Sequence, residues 1–170
     1  MAGMMPEPRP AGPRIKLPPL GFAAEEIATG EPTRAARLKW VIVTDESANA
    51  GLVVNAVACI AASTGAAVTG LIGPPGSDAT GVRHPGLPWA GCTVLTASPA
   101  ALAGLRAKAA ATDGVLVVDM PASAQTNRVY DGYLAELAQT KPDDLVVSAV
   151  SIIGPRNKVS KLVQNLSLLH

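Results

Sequence analysis

The chain has 170 residues and a formal net charge of +1, with 48% hydrophobic, 16% charged and 3% aromatic residues. That is enough chain for one domain with a core of its own, and too apolar a composition for a disordered one. The charge balance does not ask for nucleic acid or an anionic membrane as partner, and with so few aromatics the core must come from Val, Leu, Ile and Ala.

Two cysteines, Cys59 and Cys92, sit in apolar runs with no CxxC pair and no Cys/His cluster. They read as reduced, buried thiols. Only His84 and His170 could add imidazoles, so no zinc site is expected. No cofactor fingerprint is present either, since GxGxxG is missing. The loop "GLIGPPGSDATG" lacks the GK[ST] ending of a phosphate loop, and Pro74 and Pro75 remove two backbone donors. The N-terminus carries no secretory signal, and no uncharged apolar run reads as a membrane span. The expected location is the cytoplasm.

In chain order, residues 1–20 hold Pro6, Pro8, Pro10, Pro13, Pro18 and Pro19, which predicts an extended arm. Residues 21–170 read as a single α/β domain. "FAAEEIAT" predicts a short helix ended by Gly30, and Thr33 a cap for a helical turn. "LKWVIVTD" (38–45) is a continuous apolar run, as in a strand covered on both faces. Residues 49–64 predict helix one, "AAVTGLIG" (66–73) strand two, 74–91 a long loop and "CTVLTA" (92–97) strand three. Ser98 and Pro99 are N-cap and N1 residues for the helix that follows. "GVLVVDM" (114–120) predicts strand four, with a helix from Pro121 to about Thr140, weak at Gly132. "DLVVSAVSII" (144–153) predicts strand five. From Gly154 and Pro155 a last helix follows, with Val159, Leu162, Val163 and Leu166 on one face. Strands alternating with helices predict a mainly parallel sheet covered on both sides.

Asp45 and Asp119 each end a predicted strand, at the sheet edge where α/β domains gather ligands. If their strands were neighbours, the pair could divide acid and base roles. Otherwise each caps a helix or ties down a turn. Asn55, the strongly polar side chain of helix one, would orient a ligand, satisfy a loop backbone or point to solvent. His84, in "GVRHPGL", would act as a base or clamp, or lie solvated. "AQTNRVYDGY" groups Gln125, Asn127, Tyr130, Asp131 and Tyr133, either as a pocket wall or as ordinary packing. Arg156 and Lys158 sit in the first turn of the last helix, where cations oppose the helix dipole by up to about 1 kcal/mol. A bound anion would relieve that conflict, so they form a candidate anion corner; the alternative is two solvated cations.

"LKWVIVTDE", "GLVVNAVACIAA", "GVRHPGL", "VVDMPASAQTNRVYDGY" and "SIIGPRNKVSKLVQNLSLL", in that order, resemble a bacterial family of uncharacterised proteins catalogued as a domain of unknown function. The resemblance covers about residues 20–170. It implies the fold of type II peptidyl-tRNA hydrolases, a three-layer α/β/α sandwich with a mixed sheet, and a homodimer. Those hydrolases have a Gly-Lys step opening helix one, with Gln and His inside it. The matching positions here are Gly51-Leu52, Ala56 and Cys59, so the lysine is absent, although Asp45 and the closing run from Gly154 and Pro155 to Leu168 persist.

Three readings follow. The first is a small-molecule-binding domain or an enzyme of unassigned reaction, with a pocket drawn from Asp45, Asn55, His84, Asp119 and Gln125 and an anion site at Arg156 and Lys158. The second is hydrolysis of peptidyl-tRNA or a related tRNA-linked ester, with Lys158 or Arg156 replacing the lost lysine. The third is a non-catalytic dimeric module.

Overall fold

The computed structural model describes residues 20–170. The Pro-rich arm therefore lies outside the described residues, apart from Leu20. Strand β1 (Leu38–Asp45) is followed by helix α1 (Ala50–Ala67), then by a loop bearing a small ribbon, β2 (Gly76–Ser77) and β3 (Arg83–His84). Next come β4 (Thr93–Ala97), α2 (Pro99–Ala110), β5 (Leu116–Pro121), α3 (Ala122–Thr126), α4 (Tyr130–Leu137), β6 (Val147–Pro155), α5 (Arg156–Val163) and β7 (Ser167–Leu168).

One five-stranded sheet, in the order β5-β6-β1-β4-β7, organises these elements. The fold is a mixed α/β one, but the sheet is mostly antiparallel, which corrects the expectation of a mainly parallel sheet. Among the described strands of this sheet only β1 and β4 pair in parallel; β6 runs against both β1 and β5, and β7 against β4. The excursion through α3 and α4 explains the difference. Ala122 N–H donates to the Val146 carbonyl at 2.9 Å, so the segment leaves and re-enters the sheet at one edge. Strand β6 then returns between β5 and β1. A strand buried on both faces reads as an apolar run whichever way it points.

Alternation along β1 and β6 splits the core. Trp40, Ile42, Ala149 and Ile153 meet Ala56 and Ile60 of α1 on one face. Val41, Val43, Val150 and Ile152 meet Leu102 and Leu105 of α2 and Val159 and Val163 of α5 on the other. Each such aliphatic side chain contributes about 1.5–3 kcal/mol when fully buried.

Most helix ends follow local chemistry. Asn49 caps α1 by accepting from Leu52 N–H, and Ser98 caps α2 by accepting from Ala101 N–H, with Pro99 at the first position. The expected helix near residues 22–29 is a single 3-10 turn, Ala24–Glu26. Another turn, Thr33–Ala35, starts after Pro32, so Thr33 is inside it and caps nothing. The expected strand over 66–73 is not one. Ala66 and Ala67 close α1, and only the single bridges Gly21–Thr69 and Ile72–Pro88 follow. Val68 and Leu71 are buried, so the stretch is an apolar loop anchored in the core. The helix expected from 121 to 140 breaks at Asn127, not at Gly132. The Asn127 amide, just past the end of α3, donates to the Ser123 carbonyl in its first turn and to Glu136 on α4. The last strand runs on through Gly154 and Pro155, and α5 starts at Arg156.

Helix α1 is long and apolar enough to cross a membrane by length and composition, contrary to the expectation that no run is, yet only 22% of it is buried. Its buried positions, Val53, Ala56, Ile60 and Thr64, lie on the sheet.

Candidate ligand-binding cavity

Strands β1, β4 and β5 all end at one edge of the sheet, because β1 pairs in parallel with β4 and both β1 and β5 run against β6. Two cavities open near that edge, and they divide the two aspartates.

Asp45 closes β1. Its Oδ1 accepts from the Ser47 N–H at 2.8 Å and the Ser47 hydroxyl at 2.6 Å, the hydrogen bonding of a tied-down turn. It lines a cavity of about 530 Å³ with Glu46, Val53, Val54, Thr96, Leu168, Leu169 and His170. Among the described residues no lysine or arginine lines that cavity, and none of them there replaces the cation missing at Leu52.

Asp119 lies on β5, with β6 between it and β1. Arg106 of α2 forms an ion pair with it through Nε and Oδ2, both side chains being about three-quarters buried. The aspartates thus take different partners and line different cavities; no shared acid/base pair forms.

The Asp119 cavity holds about 370 Å³ between the middle of α1, β5 and the α3–α4 segment. One wall is apolar: Ile60, Met120, Pro121 and Ala124. Against it stand Ser63 and Cys59 of α1, Asn127 and Arg128 at the helix break, and Tyr130 and Tyr133 of α4. The tyrosine rings meet edge to face with centroids 5.5 Å apart. Desolvation, then the neighbouring Tyr130 and Asp119, push the Tyr133 phenol up from its ordinary value, so it is a hydrogen-bond donor at neutral pH. Asn127 is fixed by its two hydrogen bonds. Arg128 makes no ion pair or hydrogen bond among the described residues.

Gln125 and Asn55 do come together. The Gln125 amide donates to Asn55 Oδ1 at 3.1 Å and to the Leu52 carbonyl at 2.9 Å. This pins α3 to α1 beside the cavity, so the pair sets the distance between two walls without lining the cavity itself.

His84 is elsewhere. It stands on the β2–β3 ribbon, a separate two-stranded sheet, and lines neither of the two cavities. Its Nε2 is 3.5 Å from Asp78 Oδ2, and both side chains are exposed. Asp78 accepts from the Thr80 hydroxyl and from the Thr80 and Val82 N–H groups, which hold its carboxyl down at about 2.

Arg156 and Lys158 do not converge. The Arg156 guanidinium donates to the carbonyls of Ala36 and Thr33. Lys158 Nζ donates to the Asp113 carbonyl at 2.7 Å. Each cation thus satisfies a different loop.

Both cysteines are free and exposed, contrary to the expectation of buried thiols. Cys92 is open by surface area, yet the protein packed around its sulfur pushes the thiol up to about 12. The thiol environment governs its reactivity, so the second observation is the one that matters chemically. Among the described residues no three His, Cys, Asp or Glu side chains gather as a metal site.

Arg128 and Ser63 are not among the residues expected at a site, and Cys59 is named only as a buried thiol and as the position matching the hydrolase histidine. Arg128 sat inside a stretch already singled out for its amides and tyrosines. What was missing was the helix break at Asn127, which presents it to the cavity. Cys59 and Ser63 are spaced four apart on α1, and their shared side was legible; which element faces that side was not.

No curated protein matches the chain. A solved structure of a protein of unknown function, Atu0240 from Agrobacterium tumefaciens strain C58, is similar with a TM-score of 0.74 at 16% identity, covering 79% of this chain and 98% of that one. At that identity the likeness concerns the fold. The family model described as "Protein of unknown function (DUF2000)" matches residues 38–170. That span takes in every strand of the sheet, and the chain belongs to the DUF2000 family.

Proposed function

We propose that the protein is a small-molecule-binding α/β domain whose ligand sits between α1, β5 and the α3–α4 segment, with an anionic group on Arg128. The observation that carries this is the pairing, in one 370 Å³ cavity, of an apolar wall with an arginine that has no partner among the described residues. Ligand sites combine an apolar lining with a few placed polar groups in this way. Tyr133 and Asn127 would fix orientation, and Ile60, Met120 and Pro121 would cover an apolar body. The expected ligand is a small carboxylic acid with a flat or branched apolar part.

The test is a thermal-shift and calorimetric screen of such acids, benzoate and hexanoate among them, against the protein and two variants. Arg128→Ala should weaken any hit at least tenfold, the loss of about 1.4 kcal/mol of a charge-assisted contact. Tyr133→Phe should weaken it less. Hits that bind Arg128→Ala unchanged would sink the proposal.

The helices on both faces of the sheet support the three-layer sandwich of the type II peptidyl-tRNA hydrolases as the specific fold. Two free, exposed thiols suit a reducing compartment, and we read the protein as cytoplasmic.

A homodimer is a second reading, favoured by one observation. Helix α1 carries no charged side chain, and Val54, on a flank of its solvent-facing side, is 67% exposed. In a two-fold pair this face would meet its own copy, and two uncharged faces can do so without stranding a charge. Val54→Glu should turn a dimer into a monomer by light scattering; a wild-type protein already monomeric at micromolar concentration would remove the reading.

A further inference from the structure

A different cavity lies at the opposite edge of the sheet, where β1 and β4 begin. It holds about 190 Å³ and is lined by Arg34, Lys39 and Arg156 together with Thr33, Trp40, Thr93 and the Ala90–Gly91–Cys92 stretch. Among the described residues three cations and no carboxylate surround it. The ion pairs among the described residues are Arg37–Glu26, His84–Asp78 and Arg106–Asp119, so none of the three cations has a counter-charge there. Arg156 is held by the carbonyls of Ala36 and Thr33, and Lys39 Nζ rests on the Ser160 hydroxyl at 3.2 Å. Arg34 makes no hydrogen bond or ion pair among the described residues. In the remaining sequence, residues 1–19 contribute one carboxylate, Glu7, against Arg9, Arg14 and Lys16, so that segment is itself basic.

Cations around so small a space repel one another well within a Debye length of about 8 Å. Holding two of them in place with neutral groups keeps the repulsion in the folded state. An anion in the cavity removes it. Arginine suits an oxyanion, because its planar fork offers paired N–H donors; lysine adds a point charge, and threonine hydroxyls adapt as donors. The volume admits one tetrahedral group and leaves no room to swallow a nucleotide.

We propose that this cavity binds a tetrahedral oxyanion, either free phosphate or the phosphate end of a small monoester, through Arg34, Lys39 and Arg156. The site is independent of the Arg128 cavity, which lies at the other end of the strands. It keeps Arg156 from the anion corner expected from sequence and replaces Lys158 by two cations distant in the chain.

The test is calorimetry on the full chain with inorganic phosphate and, separately, glycerol 3-phosphate. Arg34→Gln is the cleaner variant, since it removes no hydrogen bond or ion pair among the described residues; Lys39→Gln is the second. Lys161→Gln, an exposed cation of α5 outside the cavity, is the control. Saturable phosphate binding in the millimolar range or tighter is expected, weakened about tenfold by each cavity variant and unchanged by the control. Binding of glycerol 3-phosphate with the same losses identifies a monoester site; binding of inorganic phosphate alone identifies a free-ion site. No saturable binding of either probe, or equal losses in all three variants, overturns the proposal.

Discussion

Replacing Ser151 by alanine should destabilise the protein by about 2 kcal/mol, although it deletes a single oxygen. Ser151 is 1% exposed and Thr64 is fully buried. The Trp40 indole N–H donates to Ser151 Oγ at 2.8 Å, Ser151 Oγ lies 2.7 Å from Thr64 Oγ1, and Thr64 Oγ1 donates to the Ile60 carbonyl at 2.7 Å. The indole can only donate and the carbonyl can only accept, so the middle bond has one direction: Ser151 donates to Thr64. The chain ties β1 and β6 to α1 one residue from Ser63, in the wall of the Arg128 cavity. Without the Ser151 hydroxyl, the buried indole N–H has no acceptor. That costs about 1–3 kcal/mol, the penalty for an orphaned buried donor. For a protein of this size each kcal/mol lowers Tm by about 2–4 °C, so the fall should be about 4–8 °C. Thr64→Val instead orphans the Ser151 proton, which Ser151→Ala removes. The double variant should therefore lose less than the sum of the singles, by at least about 0.5 kcal/mol. Thermal and urea unfolding followed by circular dichroism measure all three. A Ser151→Ala loss below about 0.5 kcal/mol, or strict additivity, would refute the directed chain.

Further outcomes follow from the same structure. With its thiol pushed up to about 12 by packing around the sulfur, Cys92 should alkylate slowly with iodoacetamide at pH 8, so a Cys59→Ser variant should label slowly and a Cys92→Ser variant quickly; equal rates would show that Cys92 is not shielded. The Asp78 carboxyl, held at about 2 against an ordinary 3.8, contributes stability to the β2–β3 ribbon above about 3.8 that fades as pH falls toward 2. Its carboxyl carbon should titrate near 2 by NMR and move upward in Thr80→Ala, which removes the largest cause of the shift; a midpoint near 3.8 in the wild type would contradict this. Purified protein should release no peptide from peptidyl-tRNA, because among the described residues no lysine or arginine lines the Asp45 cavity; release that Asp45→Ala abolishes would restore the hydrolase reading.

Local chemistry was legible in the sequence, and pairing between distant segments was not. Ser98-Pro99 announced α2, and the apolar run of β1 announced a strand covered on both faces, because caps and burial are written within a few residues. The direction of β6 was hidden. It depends on where α3 and α4 return the chain, and the Ala122–Val146 hydrogen bond that fixes this spans 24 residues. Val68 and Leu71 imitated a strand because an anchored loop and a strand both need apolar side chains. At the site, Asp119, Tyr130 and Tyr133 were recognisable by type and do meet at one cavity. Arg106, which neutralises Asp119, was not recognisable, since nothing in α2 marks that residue as the partner. The anion corner failed in a similar way. Arg156 and Lys158 are close in the chain, but a helical turn points them to different loops, while Arg34 and Lys39 reach the Arg156 cavity from another part of the sequence.

The most direct test of a binding role for the Arg128 cavity is a protein-observed NMR screen of small acidic fragments on the uniformly labelled full chain. The account predicts saturable shifts gathered on Cys59, Ser63, Met120, Arg128 and Tyr133, and lost in Arg128→Ala. Fragments that shift only residues outside that cavity, or that shift the Arg128→Ala protein identically, would contradict it.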